Sequence, residues 1–129
     1  MESMSAIHLW SGRVLSGLAV LFLLIDAAGK LLRVDPVVEG TVKLGYEEHL
    51  VVPLGVLLLV GVLLYVMPWT SLVGAIYLTA FLGGAVATHV RVGSPLVTHV
   101  LFGVYVAVFL WGGLALRTPR LLNLITGNH

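Results

Sequence analysis

The chain has 129 residues, of which 59% are hydrophobic and only 10% are charged, and its formal net charge is +1. This composition excludes an ordinary soluble domain, in which about 25% of residues are charged. The nearly balanced charge argues against a nucleic-acid partner, which requires a basic surface. Because the chain has no cysteine, disulfide exchange, thiolate catalysis and iron–sulfur ligation are excluded as well.

Four apolar runs follow one another along the chain and contain very few charged residues. A helix needs about 20 residues to cross a hydrocarbon core of about 30 Å, and each run reaches or approaches this length. The runs are too long for strands and do not alternate in polarity, so they predict helices. The sequence therefore predicts an all-α fold: a single transmembrane domain over 1–129, built as an antiparallel four-helix bundle with helices at about 10–33, 49–67, 71–90 and 95–117.

The first connection is long enough to carry an element of its own. Glu39 and Lys43 are spaced i,i+4 and form a polar side, whereas Val38 and Val42 lie on the other side. Gly45 is a typical helix stop. This pattern predicts a short helix over about 36–44 that lies in the membrane interface.

An even number of crossings divides the polar residues between two ends of the bundle. We call side A the end with both chain termini and residues 68–71, and side B the end with the first and third connections. Side A carries the residues typical of an interfacial anchor belt: Trp10, Trp69, Trp111, Arg13, Arg117 and Arg120. Its arginines favour side A as the cytoplasmic side of a bacterial inner membrane, with the termini in the cytoplasm.

Two charged residues lie within the first predicted span, toward side B. Asp26 and Lys30 are spaced i,i+4 and therefore share one face of the helix. A charge at membrane depth costs at least about 2.5 kcal/mol, so such residues are expected to pair or to face a protein-lined cavity. We predict that Asp26 and Lys30 are catalytic residues. The alternative is a self-neutralised pair that only fixes helix packing.

The other side B residues complete a candidate site. His89 is predicted to exchange protons as a third catalytic residue, and Arg91 to bind an anionic or carbonyl oxygen. His99, His49 and Glu48 are predicted substrate-binding residues. The alternatives are a cationic helix end that matches the helix dipole at 89–91, and a hydrogen-bonded structural role for His99. No zinc-binding spacing occurs within one helix, so no metal ligands are predicted, and haem ligation by the histidines is the weaker alternative.

Several motifs are similar to those of a known family: Trp10-x-x-Arg13-x-Leu15-Ser16, Phe22-x-x-x-Asp26-x-x-x-Lys30, Leu44-Gly45-Tyr46, Thr88-His89-x-Arg91 and Trp111-Gly112-Gly113. Together they make the chain resemble the DoxX-like family of small bacterial membrane proteins. The resemblance implies a four-helix membrane bundle. It also implies a link to membrane redox complexes, because the family's name comes from a subunit associated with thiosulfate:quinone oxidation.

Three functional hypotheses follow. The first is a side B pocket that binds a lipophilic small molecule with a polar head, such as a quinone, within the lipid bilayer. It would serve a membrane redox reaction, together with a redox partner subunit or a second copy of the chain. The second is a membrane-embedded acid–base enzyme, of isomerase or epoxide hydrolase type, that acts on a lipophilic substrate. The third is a structural or assembly subunit with no ligand.

Overall fold

The computed structural model describes residues 6–127, which contain helices and no strand. Six α-helices follow in order: α1 (Ala6–Leu31), α2 (Asp35–Lys43), α3 (Val51–Val66), α4 (Ser71–Arg91), α5 (Phe102–Arg117) and α6 (Pro119–Thr126). Short 3₁₀ turns, Glu48–Leu50 and Pro68–Thr70, lead into α3 and α4, and a π-turn at Leu96–Val100 leads into α5.

Four of these helical segments are long and apolar enough to cross a membrane: Ala6–Leu31, Glu48–Val66, Pro68–Arg91 and Leu96–Arg117. Large apolar side chains remain uncovered on their outer faces, with Ile25 and Val108 each 62% exposed and Leu63 54% exposed. In a membrane these faces are covered by lipid, and all backbone polar groups are satisfied within the helices. The predicted all-α membrane bundle is confirmed.

The four spans form a ring in which each helix has two main neighbours. α1 packs against α3 and α5, and α4 packs against the same two helices from the opposite side. Leu23, Leu58, Leu78 and Leu110 come from the four different spans and are at most 1% exposed. They meet in one central core.

Small residues bring α1 and α5 very close together near side A. A Cβ added to Gly113 would lie 2.7 Å from the backbone nitrogen of Ser16, and one added to Gly12 would lie 2.7 Å from the carbonyl oxygen of Gly113. No larger residue fits at either position without moving the helices. Such close approach supplies the van der Waals contact that drives helix association in lipid.

A buried polar network crosses the bundle just beneath this contact. The Tyr65 hydroxyl donates to the Leu110 carbonyl at 2.6 Å and lies 2.8 Å from Ser16 Oγ. Arg117 Nε donates to the same Ser16 oxygen at 3.1 Å. Tyr65 is 1% exposed, so the network ties α1, α3 and α5 together inside the protein. Arg117 thus has a packing role in addition to the anchoring role predicted from its position.

At the side B end, α2 packs against α1 and against the turn that leads into α3. Arg33, with φ 55°, ends α1 in the left-handed conformation, and Val34 N donates back to the Gly29 carbonyl at 3.0 Å. This turn directs α2 across the end of the bundle, where Val37 packs on Gly29 and Thr41 is buried. Val42 stays 45% exposed on the outer side, as suits a helix at the membrane interface.

The helix α6 was not predicted from the sequence. It begins with Pro119 at its first turn, ends at Gly127 with φ 80°, and packs against α5 at side A. Only eight residues long, α6 is shorter than the apolar runs on which the predicted helices were based.

Candidate functional site

A cavity of about 480 Å³ lies inside the side B half of the bundle, beneath α2. This volume is within the range of about 300–1,000 Å³ that is typical of small-molecule sites. Its polar lining consists of Asp26, Lys30, Thr41, Tyr46, Thr88, His89, Thr98 and His99. Its apolar lining consists of Phe22, Leu23, Ile25, Val37, Leu44, Leu54, Leu57, Phe81, Leu82, Ala85, Val86, Phe102 and Gly103. The chamber is therefore apolar on most of its surface, with polar groups toward side B.

Asp26 and Lys30 form an ion pair on the α1 wall of this cavity. Lys30 Nζ donates to Asp26 Oδ1 at 2.5 Å, and the two side chains are only 13% and 31% exposed, respectively. The i,i+4 spacing puts them on the same face of α1, and Asp26 lies about 8 Å from the end of the helix at Leu31. Their mutual contact offsets the cost of placing charge at this depth.

The rings of His89 and His99 contact each other on the wall of the cavity. Their ring centroids lie 5.8 Å apart in an edge-to-face arrangement. His89 Nδ1 lies 2.9 Å from Ser94 Oγ, and His99 Nδ1 lies 2.8 Å from Thr98 Oγ1. Within the part of the chain that the structure describes, neither Nε2 atom has a hydrogen-bonding partner. Because a hydroxyl both donates and accepts, each Nε2 can act as donor or acceptor toward a ligand.

The third connection determines where these two imidazoles lie. Gly93, with φ 76°, ends α4, and Ser94 N donates to the His89 carbonyl at 3.0 Å. The chain then enters the π-turn, in which the amides of His99 and Val100 both donate to the Pro95 carbonyl at 3.0 Å. Single π-turns are frequent at functional sites because the extra residue changes the direction of the following side chains.

Three of the predicted substrate-binding residues do not line the cavity. Arg91 Nη2 donates to the Leu44 carbonyl at 2.8 Å. Glu48 pairs with Arg33 at 2.5 Å. His49 lies outside, 70% exposed in its side chain, and its Nδ1 is 3.2 Å from a carboxylate oxygen of Glu47. The structure thus brings together Asp26, Lys30, His89 and His99. Glu48 and His49 lie in the connection between α2 and α3, and Arg91 binds that connection from the end of α4.

Several lining residues were not predicted as site residues from the sequence. Tyr46 OH lies 3.2 Å from Thr88 Oγ1, which joins the α2–α3 connection to α4. Phe22 and Phe102 contact each other edge to face, with centroids 4.7 Å apart. A signal was present for two of them, because Thr88 directly precedes His89, and Phe22 precedes Asp26 by one helical turn. Tyr46 occurs in the Leu44-Gly45-Tyr46 motif that carries the family resemblance, whereas Phe102 had no comparable signal.

The groups that line the cavity differ in charge and in polarity. Among residues 6–127, no group of three or more His, Cys, Asp or Glu side chains is placed to hold a metal. The cavity instead combines one ammonium group, one carboxylate and two imidazoles with aromatic and aliphatic walls. Such an arrangement can hold a polar head by hydrogen bonds while its apolar part contacts the walls.

No curated protein and no solved structure matches the chain. The sequence profile of the DoxX-like family matches residues 14–113, a segment that includes every cavity-lining residue from Phe22 to Gly103. Because this match covers most of the chain and agrees with the four-span bundle, this multi-pass membrane protein belongs to the DoxX-like family.

Proposed function

We propose that the protein binds a lipophilic small molecule with a polar, oxygen-containing head, of the quinone class, and serves a membrane redox reaction. The observation that carries the proposal is the cavity of about 480 Å³, in which Asp26, Lys30, His89 and His99 converge at one end of a largely apolar chamber. A water-soluble substrate would not need these walls, and a lipid without a hydrogen-bonding head would not need the four polar side chains.

The polar groups suit the carbonyl oxygens of such a head. Carbonyl oxygens accept hydrogen bonds, and the Lys30 ammonium and the two imidazole Nε2 positions are the available donors. Phe22 and Phe102 provide aromatic surface against which a planar ring can pack. We therefore place the head between the Asp26–Lys30 pair and the two histidines, with its apolar part toward the aromatic wall.

Reduction of a quinone to a quinol takes up two electrons and two protons. Asp26, Lys30 and His89 are the side chains proposed to hold or move these protons. The chain has no cysteine, so the electrons are proposed to come from a redox partner subunit. Arg91, His49 and Glu48 act from the rim in this proposal, where Arg91 fixes the Leu44 backbone and thereby the covering segment.

A second candidate is favoured by the proximity of a carboxylate, an ammonium group and two imidazoles in one apolar chamber. These groups suit general acid–base catalysis on a lipophilic substrate, such as an isomerisation or an epoxide opening. The two candidates differ in a simple way, because an acid–base enzyme turns over its substrate without an electron donor.

The test is a binding titration with a ubiquinone analogue that lacks an isoprenoid tail, on the purified protein in detergent. Asp26→Asn and His89→Gln are expected to raise the Kd at least about tenfold, which corresponds to about 1.4 kcal/mol. The matched control is Glu39→Gln, since Glu39 does not line the cavity. This control is expected to bind like the natural chain.

Gel filtration and thermal unfolding identify variants that fail to fold. If Asp26→Asn does not assemble, His89→Gln alone decides the result. The proposal is rejected if the natural chain does not bind the analogue, or if every folded cavity variant binds it with unchanged affinity. Turnover of a lipophilic epoxide or alkene without an electron donor would favour the acid–base enzyme instead.

A further inference from the structure

A groove lies at side A, at the opposite end of the bundle from the candidate ligand cavity. It is bounded by the connection between α3 and α4, by the end of α5 and by the first turns of α6, and its volume is about 310 Å³. We call it the side A groove. Its lining combines two arginines with aliphatic side chains, which include Leu72, Leu114, Arg117, Arg120, Leu121 and Leu124.

The side A groove lies at the level of the lipid head groups. Trp69, in the turn that borders the groove, is exposed, and tryptophan is enriched at membrane interfaces. The helix α6 is amphipathic, with Arg120, Asn123 and Thr126 recurring every three residues among apolar ones. An amphipathic helix of this kind lies in the plane of the interface. The groove that α6 borders is therefore at the depth at which phospholipids carry their phosphates.

The two guanidinium groups in the groove have no protein counter-charge within residues 6–127. Neither Arg117 nor Arg120 forms an ion pair there, and the acidic residues of that range lie toward side B. Arg117 is partly buried and uses only Nε, which donates to Ser16 Oγ at 3.1 Å. A partly buried charge without a counter-charge is costly. The guanidinium fork fits phosphate oxygens, so a phosphate is the anion that best complements this pair.

The rest of the groove suits a hydrocarbon chain. Leu124 of α6 is 60% exposed and Leu72 of α4 is 49% exposed, although both line the groove beside the arginines. A free phosphate ion would leave these aliphatic side chains uncovered, whereas an acyl chain attached to the phosphate would cover them. Basic pockets at the ends of membrane helices are typical binding places for anionic lipid head groups.

We propose that the side A groove binds one anionic phospholipid, whose phosphate contacts Arg117 and Arg120 and one of whose acyl chains contacts Leu72 and Leu124. This site is independent of the function proposed above. Because Arg117 also donates to Ser16, the bound phosphate holds in place the guanidinium group of the network that joins α1, α3 and α5. A lipid that binds only the folded chain raises its unfolding temperature.

The chain offers two matched pairs of variants. Arg120→Gln and Arg13→Gln each remove one positive charge from side A, but only Arg120 lines the groove, since Arg13 lies against Trp10. Leu124→Gln and Ile125→Gln change adjacent residues that are 60% and 59% exposed, and only Leu124 lines the groove. Arg120 is exposed and makes no hydrogen bond within the described chain, so its replacement leaves the packing intact.

The experiment is native mass spectrometry of the delipidated protein in detergent, titrated with phosphatidylglycerol or with phosphatidylcholine of the same acyl chains. The natural chain is expected to bind one phosphatidylglycerol with a Kd about fivefold lower than that for phosphatidylcholine. Arg120→Gln is expected to remove this preference, and Leu124→Gln to raise the Kd for phosphatidylglycerol severalfold. Arg13→Gln and Ile125→Gln should bind like the natural chain. Phosphatidylglycerol should raise the unfolding temperature of the natural chain more than that of Arg120→Gln.

Three results would overturn the proposal. Equal Kd values of the natural chain for the two lipids would show that the groove does not select an anionic head. An equal loss in Arg13→Gln and Arg120→Gln would assign the preference to the overall charge of side A. If inorganic phosphate at the same concentration raises the unfolding temperature as much as phosphatidylglycerol does, and Leu124→Gln binds like Ile125→Gln, the groove holds a free anion and no lipid.

Discussion

Tyr65 shows how one side chain contributes to stability without contributing to the site. Its hydroxyl lies in the core between Ser16 Oγ and the Leu110 carbonyl, and the residue is 1% exposed. A buried polar group that loses its partner costs about 1–3 kcal/mol, and hydrogen bonds between membrane helices average about 0.6 kcal/mol. Removal of this hydroxyl also leaves the Ser16 hydroxyl without its acceptor.

We therefore expect Tyr65→Phe to lower the free energy of unfolding by about 1 kcal/mol, measured by denaturation in mixed micelles. The Kd for the tail-less quinone should stay unchanged, because Tyr65 does not line the cavity. Tyr77→Phe is the control, since the Tyr77 hydroxyl donates to the Leu57 carbonyl at an exposed position. A loss of stability no larger than that of Tyr77→Phe would contradict the assigned role.

At this scale the sequence reveals local pairs better than distant ones. Asp26 and Lys30 are four residues apart, so helical spacing alone brings them together. Ser16 and Tyr65 are 49 residues apart, and Ser16 and Arg117 are 101 apart. Their contact depends on which faces of three helices meet, and no local pattern encodes that choice.

Among the elements, the connection between α2 and α3 is attached to α1 and α4 by a few specific contacts at side B. Arg91 at the end of α4 donates to the Leu44 carbonyl, and Gly45 lies directly beside the guanidinium group. Arg33 and Glu48 form a second contact, with side chains 43% and 63% exposed. Exposed ion pairs contribute about 0–1 kcal/mol, so the bond from Arg91 to the backbone is expected to matter more.

Arg91→Gln is therefore expected to increase amide hydrogen exchange over residues 44–50 severalfold, because the covering segment loses its attachment to α4. Arg33→Gln is expected to change exchange there much less. The measurement is hydrogen–deuterium exchange followed by mass spectrometry on both variants in detergent. Equal exchange in Arg91→Gln and in the natural chain would show that this bond does not hold the segment.

The predictability of the elements follows from their length. The four spans were readable because an apolar run of spanning length has few alternatives. The helix α2 was readable from its polar pair and from the stop at Gly45. The π-turn at Leu96–Val100 carries no periodic signature, yet His99 lies within it. The sequence therefore indicated that His99 was a candidate without indicating how the chain would direct it into the cavity.

Over the whole molecule, the two ends of the bundle differ in packing. Near side A, Gly12, Ser16 and Gly113 bring α1 and α5 into backbone contact, which leaves no space between them. Toward side B, the larger Phe22 and Phe102 meet between the same two helices. The cavity thus lies where large and charged residues separate the helices. The positions of the small residues in the sequence indicate that side A is the closely packed end.

The charge distribution also differs between the two ends and predicts the orientation in the membrane. Side A carries Arg13, Arg117 and Arg120, and all five acidic residues of the described chain lie toward side B. The side B cations include Lys30 and Arg33, which are already paired with carboxylates. The membrane potential and the anionic cytoplasmic leaflet both favour the unpaired positive charge in the cytoplasm. We therefore expect side A to be cytoplasmic in a bacterial inner membrane.

The absence of cysteine makes this orientation directly measurable, because any thiol labelled in this chain is an introduced one. Asn123→Cys on α6 reports side A, and Glu39→Cys on α2 reports side B, since both positions are exposed. In intact bacterial cells a membrane-impermeant maleimide is expected to label Glu39→Cys, and to label Asn123→Cys only after the cells are opened. Labelling of Asn123→Cys in intact cells would reverse the assignment and would place the proposed quinone cavity, with its proton-exchanging groups, next to the cytoplasm.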